Sequence, residues 1–160
     1  YERMLVPELY SAYLQAGYSC DRFIGVDLGQ AYDIGAKRFW ISDDKIKFFS
    51  ELGYRYLHED FKENPTTGTT SEKESHFIRV FSQIDYTHTD SVKFGLWAEY
   101  LPDMKDNENY RINFSPYTLV ILSDRFSLKF GYEGYYRSQP VAPNTIHLDY
   151  RHVTSLIAKF

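Results

Sequence analysis

The chain has 160 residues, a formal net charge of -4, 43% hydrophobic residues and 25% charged residues. This length and balance predict one packed domain over residues 1–160 and exclude a disordered chain. An acidic chain offers no broad basic face that could displace phosphate counterions, so nucleic acid is not an expected partner. The single cysteine, Cys20, excludes an internal disulfide and a cysteine-cluster metal site.

Aromatic residues make up 18% of the chain, about twice the share of an ordinary soluble domain, which favours an all-β protein. No uncharged stretch exceeds the 12 residues of 9–20 and 112–123, whereas a membrane-spanning helix needs about 20 apolar residues. The chain starts at Tyr1 without a signal peptide, as a mature or trimmed product does.

Alternation of apolar with small or charged residues recurs along the chain and predicts strands, because side chains on a strand point to opposite faces in turn. In chain order, the pattern predicts eight strands, near residues 8–19, 24–37, 46–56, 78–86, 92–100, 110–122, 126–137 and 146–160.

The alternation alone does not say which face is buried, but three further features favour a membrane barrel over a soluble sandwich. The charged face also carries glycines, as a crowded interior requires: Gly25, Gly29, Gly35, Gly53, Gly95 and Gly131. The strands are long enough to cross a bilayer. Short links at 41–44, 87–90 and 123–125 alternate with long ones at 60–75, 101–108 and 138–144. We therefore predict an antiparallel, up-and-down transmembrane β-barrel with both termini at the end of the short turns.

Charged residues on the predicted inner face form the most informative set. They are Glu51, Arg55, Arg79, Asp85, Lys93, Glu99, Arg111, Lys129, Glu133, Arg137, Asp149, Arg151 and Lys159. Charges of mixed sign can pair across neighbouring strands, as buried charge requires, and would fill an eight-stranded interior. The alternative is a basic-biased path for anions, which needs a wider barrel.

Aromatic residues near the predicted strand ends fit the two interfacial girdles of a membrane barrel, with core packing as the alternative. The girdle candidates are Tyr18, Phe39, Trp40, Tyr100, Tyr110 and Tyr136, with Phe160 at the end of the chain.

Candidate catalytic residues are few. Ser155, His147 and Asp149 could be imagined as a triad, but no nucleophile elbow accompanies them, so no enzyme and no cofactor are predicted. The five histidines lack metal-ligand spacing, and no metal site is predicted from them. The acidic residues of the two loops could hold divalent cations that bridge lipopolysaccharide phosphates, although their composition favours solvated charged loops over a cation site. These residues are Glu63, Glu72 and Glu74 in one loop, and Asp103, Asp106 and Glu108 in the next.

Several blocks resemble the family of salt-induced outer-membrane proteins, catalogued as domain of unknown function 481. The blocks are Asp21-Arg22-Phe23, Gly25-Val26-Asp27-Leu28, Gly53-Tyr54-Arg55-Tyr56, Tyr110-Arg111-Ile112-Asn113 and Arg125-Phe126-Ser127-Leu128-Lys129. The final strand, with Leu156, Ala158 and Phe160 at two-residue steps, is similar to the signal by which the barrel-assembly machinery recognises outer-membrane barrels. The resemblance implies an outer-membrane location and further strands upstream, and it implies no established activity.

Together these features predict a bacterial outer-membrane barrel with a structural role in envelope integrity or surface interaction, connected with salt stress through the resemblance. Its expected partners are outer-membrane lipid, lipopolysaccharide and, during biogenesis, the assembly machinery. Two alternatives remain open: a porin-like channel if the barrel is wider than eight strands, and a soluble barrel of lipocalin type with its apolar face inside.

Overall fold

The computed structural model describes residues 1–6, 9–21, 26–61, 72–139 and 147–159. These residues form one antiparallel sheet in which every strand pairs with its neighbours in the chain. The strands are β1 (Glu2–Val6), β2 (Tyr10–Asp21), β3 (Val26–Ser42), β4 (Ile46–Phe61), β5 (Glu72–Thr89), β6 (Val92–Pro102), β7 (Tyr110–Ile121), β8 (Phe126–Arg137) and β9 (Leu148–Ala158). The predicted all-β, up-and-down architecture is confirmed. The described residues contain no helix that could cross a membrane.

Two details of the predicted barrel are wrong for the described residues. The sheet has nine strands rather than eight, because the short segment Glu2–Val6 pairs with β2 in the register Arg3 to Ala12. The sheet is also open, since β1 and β9 each have one neighbour. With nine antiparallel strands the first and last run in the same direction, so they cannot close an all-antiparallel ring, and β1 begins away from the end of the short turns.

Short turns at one end of the sheet are fixed by side-chain caps. Asp43 Oδ1 accepts the backbone N–H groups of Lys45 at 2.9 Å and Ile46 at 2.5 Å between β3 and β4. Thr89 and Ser123 accept backbone N–H groups in the same way before β6 and β8. Asx and hydroxyl turns of this kind reverse a chain tightly. The strand order places the steps from β2 to β3, from β4 to β5, from β6 to β7 and from β8 to β9 at the opposite end, which we call the long-loop end.

The sheet is strongly curled. In a flat sheet β4 and β8 would lie about 19 Å apart, at about 4.8 Å per strand. Arg137 Nη1 on β8 nevertheless lies 3.3 Å from Glu59 Oε1 on β4. The sheet therefore has an inner face, on which the odd-numbered residues of β2 to β9 lie apart from the bulged strand ends, and an outer face formed by their even-numbered residues. In β1 the parity is reversed, since Glu2 lies opposite Tyr13.

Glycines on the inner face make room for large side chains. Gly35 and Gly53 lie directly opposite each other on β3 and β4. The hydroxyl of Tyr13 covers both, because a Cβ placed on either glycine would lie 2.7 Å or 2.6 Å from that oxygen. The crowding inferred from the sequence is thus present at this pair.

Candidate functional site

The two faces of the sheet have opposite characters. Large apolar side chains on the outer face are exposed, with Leu52 at 63% and Leu156 at 65% of their full accessibility. Charged side chains on the inner face are buried, with Asp33 at 3% and Arg79 at 5%. Soluble proteins bury apolar groups and expose charged ones, and rarely leave a contiguous apolar surface uncovered. The candidate functional features are therefore the apolar outer face and the charged inner face.

Aromatic rings gather near both ends of the outer face. Near the short turns, Trp40 stacks on Phe48, and His88 lies between Tyr86 and Phe94. At the long-loop end, rings form two rows with centroids about 6 Å apart: Tyr32, Tyr56, His76 and Tyr54 in one, and Tyr100, Tyr110, Tyr136 and His147 in the other. Aliphatic side chains such as Leu52, Val80 and Leu96 occupy the middle.

Five of the six girdle candidates lie on this outer face: Tyr18, Trp40, Tyr100, Tyr110 and Tyr136. Phe39 instead lies on the inner face, where its ring centroid is 6.0 Å from that of Phe49. Phe49, Phe81 and Trp97 continue this row of rings across three strands. Phe39 therefore contributes to the packed interior and not to the outer surface.

The centre of the inner face is a network around Arg79. Its guanidinium lies 2.5 Å from a carboxylate oxygen of Glu51 and 2.6 Å from one of Glu99, and it donates to the Tyr13 hydroxyl at 2.9 Å. Arg55 belongs to the same network, because its guanidinium lies 2.6 Å from a carboxylate oxygen of Asp33 and 3.0 Å from one of Glu99.

The network satisfies its buried charges with further polar partners. Asn113 Nδ2 donates to Glu99 at 2.9 Å, and Lys37 Nζ lies 3.1 Å from Glu51. Three carboxylates and three cations from strands β3 to β6 thus meet in the interior. Buried charge is tolerated only with such pairing and hydrogen bonding.

A second cluster lies nearer the long-loop end. Arg111 forms a bidentate pair with Glu59, with distances of 3.1 Å and 2.6 Å, and Arg137 contacts the same carboxylate. Between the two charged levels lies a small apolar layer of Leu57, Phe77 and Leu101. The interior of the curled sheet is therefore filled by alternating charged and apolar layers.

The remaining predicted inner-face charges lie apart from these clusters. Asp85 accepts a hydrogen bond from Tyr117, over whose ring Lys129 Nζ lies at 4.1 Å. Glu133 pairs with Arg151 at 2.7 Å near the β9 edge. Among the described residues, Lys93, Asp149 and Lys159 form no ion pair.

Several network members were not among the predicted site residues: Asp33, Lys37, Glu59, Tyr13, Asn113 and Tyr117. Glu51 and Arg55 were assigned to the inner face because they occupy odd-numbered positions in their strand. The same alternation also assigns Asp33, Lys37 and Glu59 to that face. Glu59 was missed because the predicted strand ended near residue 56, whereas β4 continues to Phe61.

The candidate triad is not assembled. His147 Nδ1 lies 3.0 Å from the backbone oxygen of Arg137, and its ring stacks on Tyr136. Ser155 lies opposite Lys129 on β8, at the far end of β9 from His147. Of the predicted assembly signal, Leu156 and Ala158 are exposed in and at the end of β9, whereas Phe160 lies outside the described residues.

A family model described as "Protein of unknown function, DUF481" matches residues 1–160. The chain belongs to this family. The predicted family membership is thereby confirmed, while the family description itself assigns no activity and no compartment. No curated protein and no solved structure matches the chain.

Proposed function

We propose that the chain forms the wall of a bacterial outer-membrane β-barrel with a structural role. The observation that carries this proposal is the reversed distribution of exposed apolar and buried charged side chains. In a membrane, the apolar outer face contacts the lipid chains, and the closely paired charges stay in the interior, away from lipid. A soluble barrel of lipocalin type requires the opposite arrangement, with apolar side chains lining its interior.

The dimensions of the outer face support the same proposal. Phe48 and Tyr56 are separated by about 26 Å along β4, at about 3.3 Å per residue. A tilt of about 40° reduces this separation to about 20 Å along the membrane normal, close to the apolar band of about 25 Å in known barrels. The two groups of rings would then lie at the two lipid–water interfaces.

The filled interior supports a structural role rather than chemistry. Charged and apolar layers occupy the inner face, and the groups at its centre bind one another. We therefore propose that the protein contributes to envelope integrity or surface interaction, has no catalytic activity, and contacts lipid and lipopolysaccharide. The barrel-assembly machinery would insert it, and the family resemblance suggests a connection with salt stress.

Gel mobility in dodecyl sulfate tests the barrel. Because the nine strands do not close an antiparallel ring by themselves, the protein is refolded into detergent with the additional strands that complete the ring, and unheated and boiled samples are compared. A closed membrane barrel resists the detergent when cold, so we expect the unheated band to migrate differently. Identical mobility, together with good solubility without detergent, would refute the proposal.

A channel is the second candidate, and the open sheet favours it. Nine strands curl without closing, and an all-antiparallel ring containing them needs an odd number of additional strands. Such a ring has at least about ten strands, whereas side chains just fill the interior of an eight-stranded barrel. Planar-bilayer recordings test this candidate: ion conductance that changes selectivity in Arg111→Glu supports it, and silent bilayers count against it.

A further inference from the structure

Four side chains with metal-binding chemistry meet on the outer face at the long-loop end. His58 and Asp60 belong to β4, and Glu72 and Glu74 belong to β5. Asp60 lies directly opposite Glu72, and His58 lies directly opposite Glu74. Directly opposed Cβ atoms in an antiparallel pair are about 5 Å apart, so one imidazole and three carboxylates share a small patch.

The distances within this patch suit a shared ion. The ligand atoms of His58, Asp60 and Glu72 all lie within 4.8 Å of one another. His58 Nε2 is 3.0 Å from Asp60 Oδ1, and His58 Nδ1 is 3.8 Å from Glu74 Oε1. Two ligands bound to one zinc ion at about 2.1 Å are themselves about 3 to 3.5 Å apart.

The charge of the patch is the second observation that points to a cation. Asp60 and Glu72 lie directly opposite each other, and like charges in that position are unfavourable unless a cation lies between them. Within the described ranges, no Lys or Arg forms an ion pair with Asp60, Glu72 or Glu74. Lys73 lies between the two glutamates in sequence but on the inner face, directly opposite Glu59.

We propose that this patch binds a divalent transition-metal ion, with His58, Asp60 and Glu72 as ligands. Imidazole nitrogen with carboxylate oxygens is a donor set that suits Zn²⁺, whereas Ca²⁺ prefers six to eight oxygens. Glu74 is not part of this set, because it lies 3.8 Å from the other ring nitrogen of His58 and accepts a hydrogen bond from Tyr56 at 2.8 Å. The ion would link β4 to β5 at the long-loop ends of the two strands. The spacing of the histidines along the chain did not predict this site, because the strand register assembles it.

Calorimetric titration with Zn²⁺ tests the proposal on the full chain folded in detergent, with millimolar Ca²⁺ present. We expect one ion per chain. His58→Ala should weaken binding by more than about 100-fold, the upper end of the cost of losing an outer-shell partner. Asp60→Asn should weaken it by at least about 10-fold, and it keeps the size of the side chain.

His88→Ala is the matched control, because His88 is an exposed outer-face histidine at the other end of the sheet with aromatic neighbours. It should bind Zn²⁺ as the wild type does. Absence of binding by the wild type would overturn the proposal, as would equal binding by the wild type and a folded His58 or Asp60 variant. Should His58→Ala fail to fold, Asp60→Asn and Glu72→Gln decide the question by the same titration.

Discussion

At the scale of single residues, Arg79 holds the central network together. It neutralises Glu51 and Glu99 and donates to Tyr13, and all four side chains lie inside the curled sheet. Removing the guanidinium leaves the carboxylates buried without their cation. We expect Arg79→Met to lower the free energy of unfolding by about 3–5 kcal/mol in a denaturant titration of the folded protein.

Arg151→Met is the matched control for this prediction. Arg151 pairs with Glu133 at 2.7 Å, but its side chain is 66% exposed at the edge of the sheet. An exposed pair contributes about 0–1 kcal/mol, so this variant should unfold almost as the wild type does. Equal losses for both variants would contradict a buried network centred on Arg79.

The residues of the network could be assigned to one face from sequence, but their partners could not. Parity places Arg55, Arg79 and Glu99 on the same side of their strands. Which of them meet depends on how sharply the sheet curls, and the curl involves close approaches across strands, such as that of Tyr13 to Gly35 and Gly53. Contacts between Glu59 and Arg137, four strands apart, have no local sequence signal.

At the scale of strands, the close approach at Gly53 gives a prediction about β2 to β4. An added Cβ would lie 2.5 Å from the backbone oxygen of Ile34 and 2.6 Å from the Tyr13 hydroxyl. We expect Gly53→Ala to cost about 1–3 kcal/mol of unfolding free energy, as overpacked cores do. Gly17→Ala on β2 meets nothing within 4 Å and should stay within about 0.5 kcal/mol of wild type. The reverse order of these two losses would show that the pair is not crowded.

The two faces of β6 should respond oppositely to substitution. Leu96 is exposed on the outer face, whereas Leu101 is fully buried inside. Facing lipid, Leu96→Arg near the bilayer centre should cost about 2–4 kcal/mol, and Leu96→Ala should cost less. Leu101→Ala should open a cavity and cost about 2–5 kcal/mol. Unfolding titrations in lipid check these values, and a neutral Leu96→Arg would show that the outer face meets water.

Strand positions were predictable where one face is apolar and the other is not. The ends of β4 and β5 were not, because residues 58–60 and 72–74 are polar on both faces and resemble a loop in sequence. The short strand β1 was missed for a related reason, since five residues carry too little alternation and only pairing with β2 defines it.

At the scale of the whole molecule, the central claim is that the outer face contacts lipid while the inner face does not. The chain has two tryptophans, and the sheet places one on each face. Trp40 is exposed on the outer face, and Trp97 stacks on Phe81 inside, with ring centroids 6.0 Å apart. The Trp40→Phe variant therefore keeps only Trp97, which reports on the inner face. The Trp97→Phe variant keeps only Trp40, which reports on the outer face.

The most direct measurement is fluorescence quenching of these two variants in vesicles whose lipids are brominated near the headgroup end of the acyl chains. The variant that keeps Trp40 should be strongly quenched, because its indole lies among the lipid chains near the interface. The variant that keeps Trp97 should be quenched far less, since its indole is packed inside the sheet. Equal quenching of the two variants, or quenching of Trp97 alone, would contradict the proposed orientation of the sheet.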